Sequence, residues 1–164
     1  MDDKLHEGNA FFRHRYPTIA VEHFVDRFKS FEDFEKFFTD DLMNENLLLG
    51  QYLSFLLDKY DMSPNKVALE IGKSHSYVRK ITGGKELNPS RDVLLAICVR
   101  LGASFEETQT LLRYAGKAPL YARRKRDAII WYAIKRKQNL YDLNVYLDSH
   151  GYASLCKIIV RNEK

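Results

Sequence analysis

Cysteine is scarce in this sequence, whose 164 residues include only Cys98 and Cys156. Neither belongs to a CxxC pair, and no His-rich spacing accompanies them, which argues against a zinc site. Cys98 lies in the apolar run 93–99, so we predict a buried, unreactive thiol. The five histidines are scattered over different segments, and a glycine-rich phosphate loop is absent. These absences argue against an enzyme and predict no metal or other cofactor.

Long apolar runs are absent as well. Charged residues interrupt every apolar stretch well before 18 residues, so no membrane-spanning helix is predicted. The first residues, MDDKLHEG, are acidic, whereas a secretory signal peptide begins basic and continues apolar. No stretch alternates convincingly between polar and apolar residues, as a half-exposed strand does. The sequence therefore predicts an all-α protein that is cytoplasmic.

The net charge of +4 conceals a gradient along the chain. Residues 1–46 carry −5, residues 47–118 carry +3 and residues 119–164 carry +6. Charge runs are most often solvated faces, but this gradient also suits a protein of which one side meets nucleic acid. The same ranges are the predicted segments: an acidic Phe-rich helical segment, a central domain and a basic helical C-terminal extension.

Phenylalanine recurs at spacings of three and four in the first segment, at Phe24, Phe28, Phe31, Phe34, Phe37 and Phe38. This spacing predicts two helices, near 18–29 and 31–39, with a shared apolar face. We expect the stripe to pack against the rest of the chain. A dimer or partner surface is the alternative.

The stretch 63–84, SPNKVALEIGKSHSYVRKITGG, predicts two short helices joined by a tight turn. Ser63 suits the N-cap of the first helix and Pro64 its first position. Gly72 suits the left-handed residue that ends this helix and reverses the chain. We expect Ser74 to cap the second helix, which continues to Ile81.

Further helices are predicted on both sides of this unit. A helix over 47–60 precedes it, and a helix over 90–102 follows it. Ser104 and Glu107 then form the capping box of a helix that runs to Gly116. The central segment therefore contains five predicted helices.

The order of these features resembles the helix-turn-helix of the phage lambda repressor and Cro superfamily, often called the xenobiotic-response-element (XRE) family of bacterial regulators. The resemblance covers about residues 47–116 and rests on Val67-Ala68, Gly72, Ser74, the GGK stretch and Asn88-Pro89-Ser90. The next stretch, LLRYAGKAPLYARRKRDAIIWYAI, resembles the tail of a subgroup common in low-GC Gram-positive bacteria. The resemblance implies a five-helix lambda-repressor-like domain over 47–118 with helical N- and C-terminal extensions.

The resemblance also implies a transcriptional regulator that binds double-stranded DNA sequence-specifically, with the helix Ser74–Ile81 in the major groove. Many members carry Gln where this chain has Pro64, so we expect Lys66 to hold the phosphate instead. Regulators of this kind bind as dimers, which predicts a homodimer. The alternative function is a protein-interaction adaptor that uses the same fold without binding DNA. The expected DNA contacts are Lys66, Ser74, His75, Ser76, Tyr77, Arg79, Lys80 and Lys85.

Four consecutive cations lie near the start of the C-terminal segment: Arg123, Arg124, Lys125 and Arg126. They either contact additional phosphates of a DNA backbone or form the solvated first turn of a helix, and the sequence leaves both interpretations open.

Two helices are predicted in this segment, one through 129–134 and one that Asn139 caps, ending at Gly151. We expect the dimer surface here, because the tail extends past a core that the five helices already complete. A protein partner could bind the same helices or the Phe-rich front segment. The residues expected in the dimer surface are Ile130, Tyr132, Leu143 and Tyr146.

Overall fold

The computed structural model describes residues 29–32, 45–86 and 88–157, and this part of the chain is all-α, without a strand. Within these ranges no helix is both long enough and apolar enough to cross a membrane. The helices of the described residues are α1 (Glu45–Lys59), α2 (Pro64–Glu70), α3 (Tyr77–Thr82), α4 (Arg91–Leu101), α5 (Phe105–Tyr114), α6 (Lys125–Lys135) and α7 (Leu140–Ser149).

The Phe-rich segment falls almost wholly outside the described residues, and so do the two helices predicted there. Phe31 is the member of the stripe that the structure describes, and its side chain is 88% exposed. The expectation that the stripe packs against the rest of the chain stays a prediction for the remaining five phenylalanines.

The start and stop signals of α2 lie where the sequence predicts them. Ser63 is the N-cap with extended backbone, and Pro64 is the first helical residue. Gly72 adopts the left-handed conformation with φ of 72°, and the N–H of Lys73 donates to the carbonyl oxygen of Ala68 at 2.9 Å. This bond is the 6→1 hydrogen bond of the Schellman motif, with which many helices end at a left-handed glycine.

The predicted start of the next helix needs a correction. α3 begins at Tyr77 instead of directly after Ser74, and Ser76 is its N-cap residue. The N–H of Tyr77 donates to the carbonyl oxygen of Ser74 at 2.9 Å, so residues 74–77 form a separate turn. The Ser76 hydroxyl forms no N-cap hydrogen bond, because Ser76 has right-handed helical backbone angles instead of the extended angles of a typical N-cap residue. His75 therefore lies in the turn before the helix.

Side-chain caps fix α4 and α5 as predicted. The Ser90 hydroxyl accepts from the Val93 N–H at 3.3 Å, and Gly102 ends α4 in the left-handed conformation. Ser104 and Glu107 form the complete capping box of α5. Glu107 also accepts from Tyr60 Oη at 2.6 Å and pairs with Lys59, so the end of α1 is tied to the start of α5.

One apolar cluster runs through all seven helices, which corrects the view that the first five complete the core. α6 packs against α4 and α5, and α7 packs against α4 and α6. The Phe105 ring of α5 stacks on the Trp131 ring of α6, with centroids 4.1 Å apart. Ile130 and Leu143 are buried in this cluster, so they do not belong to an exposed dimer surface. Their apolar spacing reflects contacts within the chain.

Two reciprocal ion pairs join the first turns of α4 and α6. The Arg91 guanidinium donates to both carboxylate oxygens of Asp127, at 3.0 and 2.9 Å. In the opposite direction, Arg126 donates to both carboxylate oxygens of Asp92, at 2.9 and 3.0 Å. We call these four residues the Arg-Asp crossover. It places the N-terminal ends of α4 and α6 side by side.

Candidate nucleic-acid interface

The inner side of the α2–turn–α3 unit is apolar and closely packed. Val67 and Ala68 of α2 are fully buried, and so are Val78 and Ile81 of α3. Because Val78 and Ile81 are three residues apart, they lie on one side of a helix of six residues. A helix this short is marginal by itself, so these two contacts determine where α3 lies.

The opposite side of α3 is polar. Arg79 and Lys80 lie between the two buried positions in sequence, and both side chains are exposed. Ser76, one turn earlier, is exposed as well, and so are Ser74 and His75 in the preceding turn. Five of the predicted contacts are thus exposed on the outer side of α3 or in the turn before it. Guanidinium, ammonium, imidazole and hydroxyl groups are the side-chain groups that donate to phosphates and base edges.

Gly50 of α1 permits the close approach of α3. A Cβ atom at Gly50 would lie 2.6 Å from the carbonyl oxygen of Thr82 and 2.8 Å from that of Ile81. Both distances are shorter than van der Waals contact, and backbone atoms cannot rotate away. Sequence reasoning overlooked this residue, although a glycine inside an apolar helix is itself a signal of close backbone approach.

The charge of this surface is positive. Five side chains of the α2–turn–α3 unit and of the loop directly after it are exposed cations: Lys66, Lys73, Arg79, Lys80 and Lys85. Within the described part of the chain none of the five forms an ion pair. Glu70 of α2 pairs with Arg100 of α4, which offsets its charge. Lys73 is absent from the predicted contacts and lies in the turn beside them.

Tyr77 differs from the other predicted contacts because its ring is half-buried and packs against the core. The Lys73 ammonium lies 5.3 Å from the ring centroid, within range of a cation–π interaction. Burial, and after it the charge of Glu86, raises the pKa of the Tyr77 hydroxyl above its ordinary value. Tyr77 therefore stays neutral at physiological pH and can donate a hydrogen bond.

The four cations of the basic run at the start of α6 have different environments in the structure. The Arg126 guanidinium is engaged by Asp92 and by the Ala153 carbonyl oxygen, to which its Nε donates at 2.9 Å. Arg123, Arg124 and Lys125 are exposed to solvent. Three of the four predicted additional phosphate contacts are therefore accessible, whereas Arg126 braces α6 against α4.

A metal site and a reactive thiol each have requirements that can be compared with the described residues. Among them, no three His, Cys, Asp or Glu side chains come together as potential ligands of a metal ion. Cys98 is buried, as predicted, and burial raises the pKa of its thiol to about 12. No protein-family model, curated protein or solved structure matches this chain.

Proposed function

We propose that this protein is a sequence-specific DNA-binding regulator of transcription, in which α2 and α3 form a helix-turn-helix. α3 and the turn before it enter the major groove of double-stranded DNA, and Arg79, His75, Ser76 and Tyr77 contact base edges. Lys66 and Lys85 hold phosphates on either side.

One observation carries the proposal: α3 buries Val78 and Ile81 completely while Arg79 and Lys80 remain exposed and without an ion pair in the described part of the chain. If α3 served only to stabilise the fold, its buried side chains would be sufficient. Cations held outward on a short, fixed helix instead match the needs of a groove-binding element, in which positive charge supplies affinity and geometry supplies sequence preference.

The experiment is selection of duplexes from a random DNA library, followed by binding measurements on the enriched sequence. Arg79→Ala should change base preference, at roughly 1–3 kcal/mol for a good base contact, whereas Lys66→Ala should weaken all sequences similarly. Arg113→Ala, on α5, is the control that also removes one exposed cation. Sedimentation of the complex reports stoichiometry, and two protomers per duplex are expected for a dimeric regulator.

No enrichment at low salt would contradict the proposal and favour the adaptor function. Another observation supports that second candidate: four large apolar or aromatic side chains of α6 and α7 are at least 40% exposed. Side chains of this kind form protein–protein contacts. They also offer a dimer surface in place of Ile130 and Leu143. The four are Tyr132, Tyr141, Val145 and Tyr146.

A further inference from the structure

A line of cations continues from the end of α3 to the start of α6. We call it the cationic strip and define it as Lys85, Lys117, Arg123, Arg124 and Lys125. Four of the five side chains are exposed, and Lys117 is half-buried. The strip lies in two segments that are far apart in sequence: the loop after α3, and the loop after α5 together with the first residue of α6.

Contacts within the chain join the strip to α3. The N–H groups of Lys85 and Glu86 both donate to the Lys80 carbonyl oxygen, at 2.8 and 2.9 Å, so the loop folds back on the last turn of α3. Further along this loop, the Asn88 side-chain oxygen accepts from the Lys117 ammonium. The strip therefore begins at the proposed groove-binding helix.

The Arg-Asp crossover holds the segment that carries the remaining cations beside the start of α4. Arg91, at the start of α4, donates to the carbonyl oxygens of Ala118 and Pro119, at 2.8 and 3.0 Å. The chain then turns at Tyr121, whose carbonyl oxygen accepts from the Arg124 N–H at 3.0 Å. The start of α6 thus lies beside the start of α4. α4 itself begins directly after the loop that carries Lys85.

Acidic neighbours do not cancel the charge of the strip. Asp92 is paired with Arg126 and Asp127 with Arg91, each through two hydrogen bonds. The Glu86 carboxylate accepts from the Asn88 N–H at 3.3 Å and is the remaining acid in the loop after α3. Five cations against one such carboxylate leave the edge clearly positive, which complements a polyanion.

We propose that the cationic strip binds the sugar-phosphate backbone of the same DNA duplex whose major groove receives α3. This inference rests on the proposed function and extends it, because it makes the C-terminal segment part of the DNA-binding unit. The crossover holds α6 in place, so the phosphate contacts of Arg123, Arg124 and Lys125 are preorganised relative to α3.

The test compares two triple variants of the full chain on a fluorescein-labelled duplex of mixed sequence. Arg123→Gln/Arg124→Gln/Lys125→Gln neutralises the strip at α6. Arg113→Gln/Lys135→Gln/Arg136→Gln removes the same charge from exposed positions elsewhere on α5 and around the other end of α6. The measured quantity is the slope of the logarithm of affinity against the logarithm of salt concentration, which reports the number of phosphates contacted.

The strip variant should reduce the magnitude of this slope by about 2–3 and weaken binding near 100 mM salt by about ten-fold or more. The matched variant should change the slope by less than about 1, because it removes no cation of the strip and alters only the general field and the exposed Lys135–Glu106 pair. Circular dichroism checks that both variants are folded. If the triple variant unfolds, Arg123→Gln alone, upstream of the helix, should still lower the slope by about 0.9.

Equal decreases of the slope in the two triple variants would contradict the proposal for the strip, since the change in net charge alone would then explain them. An unchanged slope in the strip variant would also contradict the proposal for the strip. If the parent protein binds DNA in that case, the groove-binding proposal is unaffected. Absence of binding by the parent protein at low salt would contradict the proposed function and the strip together.

Discussion

Arg91→Met should destabilise this protein by an unusually large amount for a single change near the surface. The Asp127 side chain is 5% exposed and accepts two hydrogen bonds from Arg91 and one from the Tyr121 N–H. Methionine replaces much of the volume of arginine but leaves this carboxylate buried without its cation. Breaking one side of a buried ion pair costs about 3–5 kcal/mol, so the free energy of unfolding should fall by that amount at pH 7.

The dependence of this loss on pH identifies its cause. Burial raises the pKa of Asp127, but hydrogen bonds from Arg91 and Tyr121 and the charge of Arg91 outweigh it, so the pKa lies below its ordinary value. The stabilisation is therefore complete above the unfolded pKa, about 3.9, and is lost as pH falls through the folded pKa. Without Arg91 burial dominates and raises the pKa, so the difference between parent and variant should shrink as pH falls from 7 towards 4.

Urea denaturation followed by circular dichroism measures the loss, and two further variants separate its components. Arg91→Met/Asp127→Leu removes the buried charge and should recover most of the loss. About 1–2 kcal/mol should remain, because the Tyr121 N–H loses its acceptor and the Ala118 and Pro119 carbonyl oxygens lose their bonds from Arg91. Arg126→Met breaks the other half of the crossover, where the Asp92 side chain is 37% exposed, and should cost only about 1 kcal/mol. Equal losses for Arg91→Met and Arg126→Met, or no recovery in the double variant, would refute this reasoning.

Two further predictions concern the placement of α3 and the capping of α5. Gly50→Ala should destabilise the fold by about 1–3 kcal/mol despite the better helix propensity of alanine, because its Cβ would collide with the Thr82 carbonyl. Urea denaturation measures the free energy of unfolding, with Ser54→Ala as the control on the same helix. A Gly50→Ala variant more stable than the parent protein would contradict the prediction. Glu107→Gln should cost about 1–2 kcal/mol at pH 7. The pKa of Glu107 is lowered because hydrogen bonds from Lys59, Tyr60 and the Ser104 N–H outweigh burial, so its contribution fades as pH falls through the folded pKa. A loss that is equally large at pH 7 and pH 4 would disagree.

Local chemistry explains why much of the helical architecture is predictable from the sequence. Ser90, the Ser104–Glu107 pair and Asn139 each act within three residues, so a short window contains the complete signal for a helix start. Gly102 and Gly151 are equally local stop signals, since both adopt positive φ at a helix end. The start of α3 could not be predicted in this way. Ser74 is a plausible local cap, but the turn over residues 74–77 comes before a helix whose place depends on the burial of Val78 and Ile81.

The docking of the C-terminal segment could not be predicted in the same way. Arg91 and Asp127 are 36 residues apart, and Asp92 and Arg126 are 34 apart, so no sequence window contains both partners. Each residue by itself resembles an ordinary solvated charge. The repeated Arg-Asp dipeptide at two helix starts was the available signal, because two such dipeptides facing one another can exchange partners.

The basic residues of the second half of the chain therefore have two different roles, which the net charge does not separate. Arginines engaged by carboxylates connect helices: Arg91 and Arg126 join α4 to α6, and Arg100 joins α4 to α2. Their charge is offset within the fold, so it adds little to the field that DNA would meet. The exposed cations around α3 and at the start of α6 remain available for the proposed contact with DNA. The paired arginines determine where these exposed cations lie. In the proposed DNA-binding surface, which is assembled from separate segments, such internal pairs hold together loops that carry like charges and would otherwise repel one another.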